Sequence, residues 1–292
     1  MDVTPISHRI IADLLQRHTG QQLTEGRLWR IDSALAGLFR EYGIDNADQL
    51  VCLLATDDMG ELARKVVEAL LNNETYFFRD LQLFGQLAET VLPDLAARRA
   101  ASRRLSIWSA GCSTGQEALS LAMLFVNRPE QWRGWTIDIL GTDVSARAVA
   151  AARRACYTQF EIQRGLGVAQ MLKHFSETPR GWEPDPALLA PIRYRVGNLL
   201  DAQARHDRFD LVLCRNVLLY FDQSTKALAF DRLCEALRPD GWLMLGAGET
   251  ASGKAGALAP TTGVQGLFRH GGGPHPIAAP RRPAARTATA AR

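Results

Sequence analysis

Apolar positions along the chain follow two different rhythms. Through the first eighty residues they recur every three or four positions. Ile31, Leu35, Leu38 and Phe39 share one face, and Leu62, Val66, Ala69 and Leu70 share another. This spacing predicts amphipathic helices, and no strand run appears before Leu105. A further helix is expected from Asp80 to about Arg99, with Pro93 breaking it or opening its second half. Beyond Leu105, short apolar runs alternate with helical periods. Strands are predicted at Leu105–Ser109, Thr136–Leu140, Arg193–Val196, Leu211–Cys214 and Trp242–Leu245. Helices are predicted at Gln116–Asn127 and Ser145–Ala155. Phe230, Leu233, Cys234 and Leu237 form a third helical face, and Pro239-Asp240-Gly241 a turn into the last strand. Strands alternating with helices predict an α/β fold with a mostly parallel, doubly wound sheet.

These rhythms divide the chain. Residues 1–80 read as a helical N-terminal domain and 81–104 as a linker helix with a basic hinge. Residues 105–270 read as an α/β domain. Arg98, Arg99, Arg103 and Arg104 make up the hinge, which reads as a solvated connection. Cys156–Pro191 is long for a simple connection and is expected to hold a small inserted subdomain. Residues 271–292 are rich in Gly, Pro, Ala and Arg, a composition that predicts a disordered tail.

Composition narrows the class. The 292 residues are 47% apolar and 22% charged, as in soluble globular proteins of one or two domains. The net charge of +3 misleads, because Arg269 to Arg292 holds five Arg and no acid. The rest carries 29 basic and 31 acidic residues, so the body is not a basic nucleic-acid binder. The five cysteines are odd in number and lack zinc-ligand spacing, which fits reduced thiols and no metal site. Asp2 and Asp13 interrupt any signal-like start. The longest apolar stretch, Ala118–Val126, is about half a membrane span. A cytoplasmic protein without direct membrane insertion is expected.

Four segments carry candidate chemistry. Trp108-Ser-Ala-Gly-Cys-Ser-Thr-Gly-Gln-Glu117 lies where the first strand meets its helix, and Gly111 and Gly115 permit a tight turn and close approach by a ligand. The spacing is G-x-x-x-G and no Lys-Ser/Thr follows, which argues against a dinucleotide pyrophosphate site or a P-loop. Alone, the segment also fits a plain strand-to-helix turn. Leu140-Gly-Thr-Asp143 sets a carboxylate at the tip of strand two, where it can accept from both hydroxyls of a ribose; a simple helix cap by Asp143 or Ser145 is the alternative. With no further phosphate-binding element, the pair suggests a nucleoside without phosphate, of which S-adenosylmethionine is the obvious one. Asp210–Asp222 brings Arg215, Asn216 and Tyr220 to the carboxyl end of a central strand, though Arg215 could be a surface ion pair and Tyr220 a core residue. Leu71–Arg79 offers Asn73, Thr75 and Arg79; by spacing it reads as caps plus two aromatics joining domains.

Asn73-Glu-Thr-Tyr-Phe-Phe-Arg-Asp80, the Trp108–Glu117 segment, Thr142-Asp143, Asn198-Leu199-Leu200 and Cys214-Arg-Asn-Val-Leu-Leu-Tyr-Phe-Asp222 together resemble the ordered motifs of the CheR family. These are the chemoreceptor glutamate O-methyltransferases. The resemblance runs to about Gly248 and fades beyond it. It implies a helical domain and a methyltransferase domain with a small insertion, here at 156–191. It also implies that Asn73, Thr75 and Arg79 reach across to the cofactor, beside the close approach at Gly111. Glu117 and Asp143 would hold the methionine and ribose parts, and Asn198 and Leu199 would line the adenine. Cys214 and Arg215, partly through backbone, and Asn216 would complete the contacts. Arg79, Arg215 and Tyr220 would be the catalytic residues near the transferred methyl. Gln116 stands where the family often has an acid, and Ala118-Leu119 where Pro-Tyr is common.

The implied donor is S-adenosylmethionine, with S-adenosylhomocysteine as product and no metal. The implied acceptors are glutamates on the cytoplasmic helical bundle of chemoreceptors, met by a monomer. Arg27, Arg30 and Arg40 would either face an acidic receptor helix or form an ordinary solvated face. Two other functions fit the same motifs: transfer to a different protein or small molecule, and a non-catalytic signalling module that binds the cofactor.

Overall fold

A computed structural model describes residues 6–56, 60–201, 209–249, 258–261 and 266–270. The tail expected at 271–292 lies outside the described residues. The N-terminal segment forms α1 (Ile6–Thr19), α2 (Arg30–Tyr42), α3 (Ala47–Leu54) and α4 (Glu61–Leu70). Gly43 ends α2 in the left-handed region, φ 64°, and Asn46 starts α3 by accepting from the Gln49 amide at 3.0 Å. The predicted faces are the buried ones. Ile11, Leu15, Ile31, Leu35, Leu50 and Val66 form a core of their own, against which Val144 packs from the other part of the chain.

The connecting helix runs as α5 (Leu81–Gln86), a π-turn (Leu87–Val91) and α6 (Leu92–Arg98). Pro93 therefore does not break it. A proline has no amide hydrogen and its ring clashes with the carbonyl four residues back, and the widened turn before it relieves both problems. The hinge expectation needs correcting at Arg99. Its guanidinium donates to Asp210 at 2.6 Å and to Asp240 at 2.8 and 2.5 Å, and its side chain is 15% exposed. The residue fastens the linker helix to the sheet.

The main sheet holds β1 (Arg104–Ala110), β2 (Thr136–Asp143), β5 (Ile192–Val196), β6 (Phe209–Cys214), β7 (Leu237–Leu245), β8 (Leu258–Pro260) and β9 (Leu267–His270). Their order is β5-β2-β1-β6-β7-β9-β8. The first five are parallel, while β9 runs antiparallel to both neighbours. The Pro239-Asp240-Gly241 turn is absorbed into β7 as an irregularity, where the register jumps between Phe209–Leu237 and Leu211–Trp242. Side chains alternate across the sheet as a period of two demands. Ile107, Leu211, Leu213 and Met244 enter the core on one face, and Trp108, Val212, Cys214 and Leu243 that on the other. α7 (Gln116–Val126), α8 (Ala146–Arg154) and α12 (Gln223–Ala236) supply the crossovers.

Between α8 and β5 the chain forms α9 (Gln159–Gln163), α10 (Val168–His174), a hairpin of β3 (Phe175–Thr178) and β4 (Gly181–Pro184), and α11 (Pro186–Leu189). From β1 the chain crosses to β2 on one side, while β6 lies on the other. This reversal opens a crevice beyond the carboxyl ends of β1 and β6, the position at which such sheets bind ligands.

Candidate active site

A cleft occupies that crevice, lined by the turn after β1, the end of β2, the loop after β6 and the segment after α4. Its floor is the turn after β1. Gly111 has φ 80°, and a Cβ there would come within 2.4 Å of Val217. The Gly111 and Cys112 amides donate to the Thr142 carbonyl at 2.8 and 2.9 Å, which ties the turn to the end of β2. Ser113 also has a left-handed φ, 50°, and its amide donates to Asp143 Oδ2 at 2.8 Å.

Asp143 is held on both sides, since Oδ1 accepts from the Ser145 amide at 2.9 Å. Burial pushes its carboxyl above the ordinary aspartate value, and these amides act in the opposite direction. The carboxylate keeps lone pairs for a ligand inside the cleft it lines. Ser145 caps α8 and donates to Glu68 Oε2 at 2.6 Å, and the Ala146 amide donates to Glu68 Oε1 at 2.5 Å. A carboxylate of α4 thus sits on the N-terminus of α8, where the helix dipole favours negative charge.

Arg215, for which a catalytic role is implied, lines the cleft from a buried position. Its side chain is 1% exposed. It donates to Glu117 Oε2 at 3.0 Å, to Asp80 Oδ2 at 2.7 Å and to the Arg79 carbonyl at 2.5 Å, and it lies 5.3 Å from the Phe84 ring centre. Glu117 is fixed further by the Ser109 hydroxyl at 2.7 Å. Two carboxylates surround one guanidinium, so the local charge is net negative.

The segment after α4 lines the cleft with residues 71–76 and Arg79. Phe77 is fully buried, the Phe78 amide donates to Ser120 Oγ at 2.9 Å, and Ser113 Oγ donates to the Asn73 carbonyl at 2.7 Å. Arg79 lines the cleft, gives one bond to the Glu74 carbonyl at 3.1 Å and lies 5.6 Å from the Tyr76 ring centre. Among the described residues it forms no ion pair. Tyr220 Oη accepts from Asn72 Nδ2 at 2.8 Å and so keeps its own proton available. Asn73, Thr75, Asn198, Leu199 and Asn216 also line the cleft.

Cys214 does not line it. Its thiol is fully buried in the sheet core and burial pushes its pKa well up, so only its backbone stands at the strand end. The motif reading gave no role to Glu68 or Glu249, nor to Asp80, although Asp80 closes the first quoted motif. Glu249 Oε2 accepts from the amides of Asn216 and Gly246 at 2.8 and 2.9 Å, which pins the loop after β6. Their long-range partners gave no local signal: Ser145 lies 77 positions from Glu68, Arg215 135 from Asp80 and Asn216 33 from Glu249.

The residues present fit a nucleoside sulfonium. Asp143 offers a carboxylate acceptor, and the charge around Arg215 suits a cationic ligand. Buried Arg215 Nε and Asn216 Oδ1, both on cleft-lining residues, have no partner among the described residues. No group of metal-ligating side chains occurs among the described residues, and none of their helices is long and apolar enough to cross a membrane.

The family model for the "CheR methyltransferase, SAM binding domain" matches residues 73–264. "Chemotaxis protein methyltransferase 1" of Pseudomonas aeruginosa is 35% identical over 80% of this chain and 86% of its own length. "Chemotaxis protein methyltransferase Cher2" of Pseudomonas putida is 33% identical over 82% and 88%. A "Chemotaxis protein methyltransferase" of Vibrio parahaemolyticus is 30% identical over 84% and 90%. By motif order, sheet topology and these matches, the chain belongs to the CheR methyltransferase family.

Proposed function

We propose that this protein transfers a methyl group from S-adenosylmethionine to glutamate side chains of chemoreceptors and forms their methyl esters. The observation that carries the reading is the division of labour across the cleft. Asp143 is oriented as an acceptor at the glycine turn, and Arg79 lines the same cleft from the segment after α4, with no carboxylate paired to it among the described residues. Asp143 would hold the ribose, Glu117 and Asp80 would face the cationic methionine portion, and Asn198 and Leu199 would line the base.

The bound cofactor supplies an electrophilic methyl on a sulfonium. The acceptor carboxylate is already ionised at neutral pH, its reference pKa being about 4.3, so the chain need supply no general base. What it supplies is alignment, to a near-attack distance of about 3–3.5 Å. Negative carboxylate and positive sulfonium cancel as the bond forms, so charge is lost in the transition state. A cation that gripped the carboxylate too tightly would favour the ground state. Arg79, partly solvated and 5.6 Å from the Tyr76 ring centre, orients without such a grip, and the Tyr220 hydroxyl can donate to the second carboxylate oxygen. Arg215 is a positioning residue that holds Glu117, Asp80 and the backbone of Arg79.

The chemoreceptor acceptor rests on the relatives' names, and the receptor-facing parts are read as the helical segment up to residue 80 and the insertion at 156–191. The test is incubation with methyl-labelled cofactor and a cytoplasmic chemoreceptor fragment. Label on the fragment that alkali releases, as an ester requires, supports the reading. Label carried only by another protein or a small molecule moves the acceptor elsewhere. Cofactor binding with no transfer to anything leaves a binding module.

A further inference from the structure

The second glycine of the G-x-x-x-G turn is not explained by the ligand. Gly115 has φ 97° but does not line the cleft. A Cβ there would lie 2.7 Å from Tyr194 Oη and 3.2 Å from Tyr157 Oη. The glycine makes room for two phenols beneath the turn. Tyr157 Oη donates to the Thr114 carbonyl at 3.0 Å, and Tyr194 Oη to the Gly115 carbonyl at 3.4 Å.

Tyr157 opens the inserted segment and is 2% exposed. Its amide donates to the Trp182 carbonyl at 2.9 Å and its carbonyl accepts from the Trp182 amide at 2.8 Å, which joins it to the inserted hairpin. Its ring meets Phe77 edge-on at 5.2 Å and Phe175 at 6.4 Å. The surrounding protein pushes both phenols far above their ordinary pKa, so each remains a donor.

The turn above them is unusual backbone. Gly111, Ser113 and Gly115 all have left-handed φ, and Ser113 has a side chain that disfavours it. The Ser113 amide is one of the two donors that orient Asp143. Fixing the Thr114 carbonyl therefore fixes the neighbouring residue that aims at the ribose acceptor. We infer that Tyr157, with Tyr194 beside it, is a positioning residue for cofactor affinity, acting from the inserted segment and the sheet edge through the turn onto Asp143. This inference rests on the assignment of the cleft as the S-adenosylmethionine site.

Tyr157→Phe keeps the ring packing and the backbone pairing with Trp182 and removes only the donor. Wild type, Tyr157→Phe and Tyr194→Phe are titrated with S-adenosylhomocysteine by calorimetry and assayed with labelled cofactor and receptor fragment. Loss of the Tyr157 bond is expected to weaken binding about three- to tenfold and to raise the cofactor KM by the same factor. The kcat and the receptor KM should stay within about twofold, a split that a loss of folded protein would not produce. Tyr194→Phe should show the smaller effect, about two- to threefold, because its bond is longer. Unchanged cofactor affinity in both variants overturns the inference, as does a fall in kcat with unchanged affinity. If Tyr157→Phe does not fold, Tyr194→Phe decides alone. Wild type that fails to bind S-adenosylhomocysteine overturns the cofactor assignment itself, and is thereby distinguished from failure of the tyrosine platform.

Discussion

Arg215 and Glu117 are joined across the switch point of the sheet, guanidinium to carboxylate, at 3.0 Å. Asp80 flanks the same guanidinium at 2.7 Å. Of the two arginines that the motifs bring to the cleft, one is thus committed to the protein itself. Arg79 is the one proposed to meet an acceptor carboxylate, and the two arginines should respond to mutation in opposite ways.

Arg79→Ala should lower kcat about a hundredfold, the scale of losing one oriented donor at a reacting oxygen. Its unfolding free energy in urea should change by less than about 1 kcal/mol, since among the described residues it makes no ion pair. Turnover at the wild-type rate would remove Arg79 from the mechanism.

Arg215→Ala should instead cost about 3 kcal/mol of stability, because Glu117 and Asp80 would be left facing each other without their cation. Urea unfolding of the ligand-free protein measures this. A variant as stable as wild type would show that the buried network is not structural.

Asp143 gives a pH dependence. Burial raises its folded-state pKa above 3.8. Its contribution to stability is therefore greatest below that value and is lost as pH rises through the folded pKa. Ligand binding has the opposite sign, because the protonated acid has lost acceptor capacity. Calorimetry with S-adenosylhomocysteine should show affinity falling on acidification, beginning at higher pH than for a free aspartate. Asp143→Asn should bind at least about tenfold more weakly and lose that acid limb. An unchanged pH profile in the variant would assign the titration to another group.

Arg99→Ala should destabilise by about 3 kcal/mol, since Asp210, 2% exposed, would lose its principal partner. The Arg99 guanidinium also holds the Asp240 carboxyl below its ordinary range. That stabilisation is present above pH 3.8 and is lost as pH falls through the depressed value. Acid unfolding of wild type and variant should show the difference shrinking toward low pH, and a constant difference would contradict it.

The contrast between Arg99 and Leu35 shows what was legible in the sequence. Leu35 announces its burial through Ile31 and Leu38, one helical turn away, and the parallel strands do so by apolar runs of the right length. That Gly111 and Asp143 line the cleft was legible because the crevice of such sheets opens at strand ends. Arg99, Glu68, Glu249 and the environment of Arg215 were not. Their partners come together only in the folded chain, as with Asp240, 141 positions from Arg99. The side-chain position of Cys214 was hidden for a related reason: alternation along β6 turns its thiol into the core, while the next residue, Arg215, lines the cleft.

The most direct measurement is a crystal structure of the protein with S-adenosylhomocysteine. Both ribose hydroxyls should lie within hydrogen-bonding distance of the Asp143 carboxylate, with the sulfur open toward Arg79 and Tyr220. A nucleoside seated elsewhere, or a sulfur turned away from that arm, would contradict the account.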